Sequence, residues 1–269
     1  MLEEIAERIK ALPPLPKSFH QMTLICQDPN ASSADLARVI EEDPMMVANL
    51  LKVANSPLYN FRREIKSVLQ AVSLFGMSTT RSLVTDMSIK KLLQVDMAPY
   101  GVTPEEFAAI SGLQSALMVQ WYSKIDATKA DFLFLAALLQ ETGKILIADE
   151  IVKNDEMYQF RSEIENSNNI ADVEKMFVRM TSSEVAGLIF KHWKFEEKMV
   201  KAIEYVDALG VAPVDIRPYA VALKVVKTAI PINAPLSDRS INLALNILEK
   251  EKLDKQVFLE TVTKLKEYY

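Results

Sequence analysis

Apolar side chains recur along the chain at spacings of three and four residues and almost never in sustained alternation, which predicts α-helices nearly throughout and an all-α fold. Leu36, Val39 and Ile40 mark one helix, and Val47, Leu50, Leu51 and Ala54 mark the next. Between them Asp43 is placed to cap the second helix and Pro44 to open it, where a missing N–H costs nothing. Asn55-Ser56-Pro57 ends that helix. Val68, Val72 and Phe75 then run up to Gly76, a natural C-terminal stop.

The stretch 95–103 reads as a connector, and Thr103-Pro104-Glu105-Glu106 as a capping box with proline at the first helical position. Phe107, Ile110, Leu117 and Trp121 form one stripe of the helix that follows, with Gln114 in its middle. Phe132, Leu135, Ala136 and Leu139 predict a helix that reaches Gln140-Glu141-Thr142-Gly143-Lys144 and continues through Ile147. A polar loop is expected at 165–169. A second capping box, Thr181 with Glu184, opens a helix to Trp193; Met199, Val200, Ile203 and Val206 mark another, stopping near Gly210. Pro213 and Pro218 bracket a boundary, after which three amphipathic helices, carried by Leu223, Leu248 and Val262 among others, must bury their stripes against the body.

Composition removes most familiar chemistries. The 269 residues are 49% hydrophobic and 25% charged, the make-up of a globular protein. The six glycines are scattered, so neither a phosphate-binding loop nor a dinucleotide fingerprint is present. One cysteine, Cys26, and two histidines, His20 and His192, exclude a disulfide framework and the His-pair and multi-cysteine zinc motifs. Cys26 is expected in the core and His192 at a packed helix end. A formal charge of −5 has the wrong sign for a chain whose main work is holding nucleic acid. The acidic first residues do not form a secretory signal, and the longest strongly apolar run, Phe132 to Leu139, is far below the ~20 residues of a membrane span. A cytoplasmic protein without membrane insertion is expected.

Leu12-Pro13-Pro14-Leu15-Pro16, followed by Asp43-Pro44, Leu51, Ala54-Asn55-Ser56, Tyr59, Ile65, Ala71 and Leu74-Phe75-Gly76, resembles the opening half of the HDOD domain, the HD-related output domain of bacterial signalling proteins. The resemblance continues through Leu138-Leu139-Gln140-Glu141-Thr142-Gly143-Lys144 to Glu184, Trp193 and Asp207. It covers residues 12–209, with an N-terminal helical lobe at about 12–95 and an HD-like lobe at about 104–209; residues 210–269 form a helical extension outside it.

The family is similar in fold to HD phosphohydrolases, in which histidines and aspartates hold metal ions that acidify a bound water. The matching positions here read Gln114, Gln140, Glu141, Ser182, Val206 and Asp207, with no histidine among them. The resemblance therefore implies a non-catalytic signalling protein with no metal and no cofactor, acting through other signalling proteins; it leaves the oligomeric state open. Two alternatives stay open beside it: a divergent phosphohydrolase using Mg²⁺ held by Glu141 and Asp207, and a sensor that binds a nucleotide or other small ligand in the degenerate pocket. Lys144, three residues after Glu141, is placed to pair with it. Arg62, Arg63 and Lys66, beside Asn55 and Ser56, form a basic cluster; Asn55, Ser56, Arg62 and Arg63 are the expected interaction surface.

Overall fold

Helices dominate the computed structural model, which describes residues 2–267 except Asn60, Arg62 and Val95, and no strand occurs among the described residues. In chain order they are α1 (Leu2–Lys10), α2 (Lys17–Gln27), α3 (Ser33–Glu41), α4 (Pro44–Ala54), α5 (Val68–Phe75), α6 (Met77–Leu93), α7 (Pro104–Tyr122) and α8 (Ala130–Leu139). There follow α9 (Gly143–Lys153), α10 (Met157–Asn166), α11 (Ile170–Val178), α12 (Ser182–His192), α13 (Glu197–Glu204), α14 (Arg217–Ala229), α15 (Asp238–Lys250) and α16 (Lys255–Lys266). None is long and apolar enough to cross a membrane.

The chain divides into two compact units. The smaller runs from Pro13 to Leu92 and takes in the end of the chain from Lys264. Its core gathers Met22, Leu36, Ile40, Leu50, Ala71 and Val72, where α3 packs against α2, α4 and α5. The stops are those the residue chemistry dictates. Asp43 accepts hydrogen bonds from the backbone N–H groups of Met45 and Met46, at 3.0 and 3.2 Å, and Gly76 ends α5 at φ +81°, a conformation glycine adopts without steric cost. Cys26 is half-buried, not in the core as expected: α2 leaves its Sγ at the edge, 3.8 Å from the Met77 carbonyl.

The larger unit holds residues 1–12 and 93–263. The Thr103 capping box forms as written, with the Glu106 side chain accepting from the Thr103 N–H at 2.7 Å. From that start α7 packs along α8 and buries Phe107, Leu117 and Trp121. The chain does not continue as one helix from Phe132 through Ile147: α8 stops at Leu139 and α9 begins at Gly143. The break is fixed by packing. A Cβ on Gly143 would lie 1.9 Å from the Ser182 carbonyl oxygen and 2.8 Å from the Ala186 nitrogen, so only glycine lets α9 approach the first turn of α12. His192 ends α12 as expected but is exposed and not packed, its ring nitrogen 3.4 Å from the Leu12 carbonyl. The C-terminal helices are built into this unit; α14 touches α7, α8, α13 and α15, and its Ala220, Ala222, Leu223, Val225 and Val226 are completely buried.

Candidate functional site

The inward stripe of α7 carries Gln114 to the middle of the larger unit, and the break between α8 and α9 presents Gln140 and Glu141 to it. All three are buried. The Gln114 amide is fully committed: its Nε2 donates to Glu141 Oε1 at 3.0 Å and to the Ile230 carbonyl at 2.9 Å, while its Oε1 accepts from Gln140 Nε2 at 2.8 Å. Buried polar groups persist when their hydrogen-bonding capacity is met in this way.

Around this amide pair lie three carboxylates and three ammonium groups. Lys144 Nζ lies 3.2 Å from Glu141 Oε2, donates to Glu174 Oε1 at 2.6 Å and reaches Ser182 Oγ at 3.0 Å. Glu174 is held further by the Tyr100 hydroxyl at 3.0 Å and by the Ser182 N–H at 2.6 Å. Across Ser182, Lys227 Nζ donates to Ser183 Oγ and to Asp207 Oδ2, both at 2.9 Å. Asp207 also takes a hydrogen bond from Lys224 Nζ at 2.6 Å and one from Ser183 Oγ at 2.6 Å. The cluster is formally neutral, which is how buried charge is tolerated.

The electrostatics follow from that pairing. Burial alone pushes the Glu141 and Asp207 carboxyls up, but Lys144 and Lys227 outweigh it at Glu141, and Lys227 and Lys224 at Asp207, so both titrate below the ordinary carboxylate range. Burial likewise favours neutral Lys227, yet Asp207, Glu141 and Glu174 hold its ammonium above the usual lysine value. Burial and the adjacent Glu174 raise the Tyr100 phenol well above its ordinary value, so it remains a hydrogen-bond donor.

Of the positions expected from the resemblance, Gln114, Gln140, Glu141, Ser182 and Asp207 all belong to this one network, whereas Val206 is a completely buried core residue. Lys144 pairs with Glu141 as its three-residue spacing predicts. Lys224, Lys227, Glu174, Ser183 and Tyr100 were not foreseen. The legible signal was charge on an inward stripe: Lys227 lies four residues after Leu223, and Glu174 lies three after Ala171 and four before Val178, all of them buried.

The donor set does not fit the metal ions of an HD phosphohydrolase. Amides stand where imidazoles are needed, and a divalent ion on Glu141 or Asp207 would have to displace ammonium groups within about 3 Å of the same oxygens. Among the described residues no three His, Cys, Asp or Glu side chains come together as a metal cage.

In the smaller unit Asn55 has a local duty. Its Nδ2 donates to the carbonyls of Leu51 and Ile65, each at 2.9 Å, and its Oδ1 accepts from the Ile65 N–H at 2.8 Å, clasping the loop after α4. Ser56 is half-buried and Arg63 exposed. Arg62 lies outside the described residues.

A family model of the HDOD domain matches residues 12–209. The chain belongs to the HDOD family. An uncharacterised protein of Treponema pallidum is 20% identical over 220 residues; the match takes in 80% of this chain and 41% of that protein, so the chain spans about two fifths of this curated relative. Among solved structures, a candidate signal transduction protein from Marinobacter aquaeolei superposes with a TM-score of 0.74 at 20% identity, covering 99% of this chain and 62% of that one. A candidate phosphohydrolase from Shewanella amazonensis does so with a TM-score of 0.73 at 18% identity, covering 97% and 93%. These likenesses establish the all-helical HDOD/HD fold.

Proposed function

We propose that this chain is a non-catalytic signal-transduction module that works through protein–protein contacts. The carrying observation is that Lys144 and Lys227 sit on the carboxylates that a catalytic metal would need. A tethered ammonium neutralises the carboxylates but offers no open coordination position at which a water is acidified. Membership of the HDOD family and the name of the Marinobacter relative support a signalling role, with other signalling proteins as partners.

The test is hydrolysis of phosphomonoester and phosphodiester substrates with Mg²⁺ or Mn²⁺ added, alongside elemental analysis of the purified chain. No turnover above buffer and no stoichiometric metal are expected. Metal-dependent turnover that is abolished in Glu141→Gln would refute the proposal and establish the divergent hydrolase. Partner capture with Arg63→Glu, on the exposed basic surface, probes the interaction side: reduced capture supports that surface, and unchanged capture removes it.

A further inference from the structure

A cavity of about 500 Å³ opens above the cluster, with Glu141, Asp207 and the three lysines in its floor and α14 and α15 along one wall. That volume lies within the range of small-molecule sites. We infer that it binds a phosphorylated organic anion of nucleoside-phosphate size, held chiefly by cations of α15. This goes beyond the adaptor reading, since it assigns a ligand and neither requires nor excludes a protein partner.

Charge is the first ground. The floor lysines are balanced by Glu141, Glu174 and Asp207, and Glu165 at the rim is engaged by Arg161 at 3.2 Å. Arg239 and Lys250 also line the cavity, are exposed and make no ion pair among the described residues, which leaves the cavity two positive charges in excess. Such an excess in a walled recess attracts anions. Lys224, with 24% of its side chain exposed, is the most open of the floor lysines and adds a third donor.

Register is the second ground. Arg239, Leu243, Asn246 and Lys250 follow one another at four, three and four residues, a single face of α15 turned to the cavity. The cations stand at the two ends of this strip, about 16 Å apart along the helix, with Leu243 and Ile247 between them. Ile170, Pro231 and Ile232 also line the cavity, so an organic body would rest against aliphatic side chains with its phosphates at one of the basic end groups.

Isothermal titration of the full chain with ATP, inorganic pyrophosphate and adenosine tests the site, with product analysis in the same samples. Saturable binding of ATP, weakened at least tenfold in Arg239→Gln/Lys250→Gln and absent for adenosine, is the expected result. Both substituted side chains are exposed and without ion pairs among the described residues, so the variant should fold; an unchanged circular dichroism melt checks this. No saturable binding of either anion, or ATP binding unaffected by the double substitution, overturns the site. Pyrophosphate binding as tightly as ATP overturns the organic-body assignment. Turnover of bound ATP would refute the non-catalytic reading while leaving the site standing, so the two failures are distinguishable.

Discussion

Replacing Lys227 by methionine keeps most of its aliphatic volume and removes one charge from the centre of the larger unit. In the wild type its Nζ is 2.9 Å from Asp207 Oδ2, and the two side chains are 10% and 4% exposed. At that distance and an effective dielectric of about 20 the attraction is about 6 kcal/mol before desolvation is counted. Removing one partner of a buried pair typically costs about 3–5 kcal/mol. Asp207 keeps Lys224 and Ser183, which places Lys227→Met near 3 kcal/mol, a fall in Tm on the order of 10 °C. The effect is pH-dependent with a defined sign. Because the folded Asp207 carboxyl titrates below its ordinary value, its stabilisation is complete above the unfolded pKa of about 4 and is lost as pH falls below it. Lys227 titrates above its ordinary value, so its contribution is complete below about pH 10.4 and lost as pH rises beyond. The gap between wild type and variant should therefore hold across neutral pH and narrow below about pH 4. Urea denaturation of Lys227→Met, Asp207→Asn and the double variant measures the coupling. Additivity within about 0.5 kcal/mol, or a gap independent of pH, would refute the account of these lysines as internal counter-ions.

Three further outcomes follow from the packing. Asn55→Ala leaves the Ile65 N–H without its acceptor and should cost about 1–3 kcal/mol in chemical denaturation; a change below 0.5 kcal/mol would show that the clasp is dispensable. Gly143→Ala should prevent accumulation of soluble protein, because the added methyl meets backbone and not a movable side chain, whereas Gly210→Ala, with open space at its Cβ position, should be nearly neutral in a thermal melt. Truncation after Leu209 removes Lys224 and Lys227 together with the apolar stripes of α14 to α16, and light scattering should show aggregation; a soluble, monomeric truncation with the parent melting temperature would contradict that packing.

Much of this molecule is legible in residue order because its helices begin and end on local chemistry. Asp43, Thr103 and Thr181 cap where their side chains predict, and the stripe with Gln114 at its middle buries as its spacing demands. At 140–147 the apolar pattern is interrupted by Gln140-Glu141-Thr142-Gly143-Lys144, and the break falls in that polar stretch; what residue order does not carry is the close approach of Gly143 to Ser182, 39 residues on, which reserves the position for glycine. The cluster was half legible. Gln114, Glu141 and Asp207 stand out as polar groups on apolar stripes, and Lys144 is placed to pair with Glu141, but whether Asp207 meets a metal or an ammonium depends on which helix covers it. That helix, α14, lies outside the family-matched segment.

This origin of the cations bears on what the site can respond to. A metal ion equilibrates with its surroundings, so a carboxylate site that relies on one changes charge with metal supply. Lys224 and Lys227 are delivered by the fold of α14, and their local concentration is fixed once Leu223 and Val226 are buried. Glu141, Asp207 and Lys227 thus keep their charges over neutral pH, since both carboxyls titrate below and the ammonium above their ordinary values. Constant charge at these three groups removes proton concentration as an input to them in that range. If a bound anion shifts the population of this unit, it must do so through differential contacts with Arg239 and Lys250.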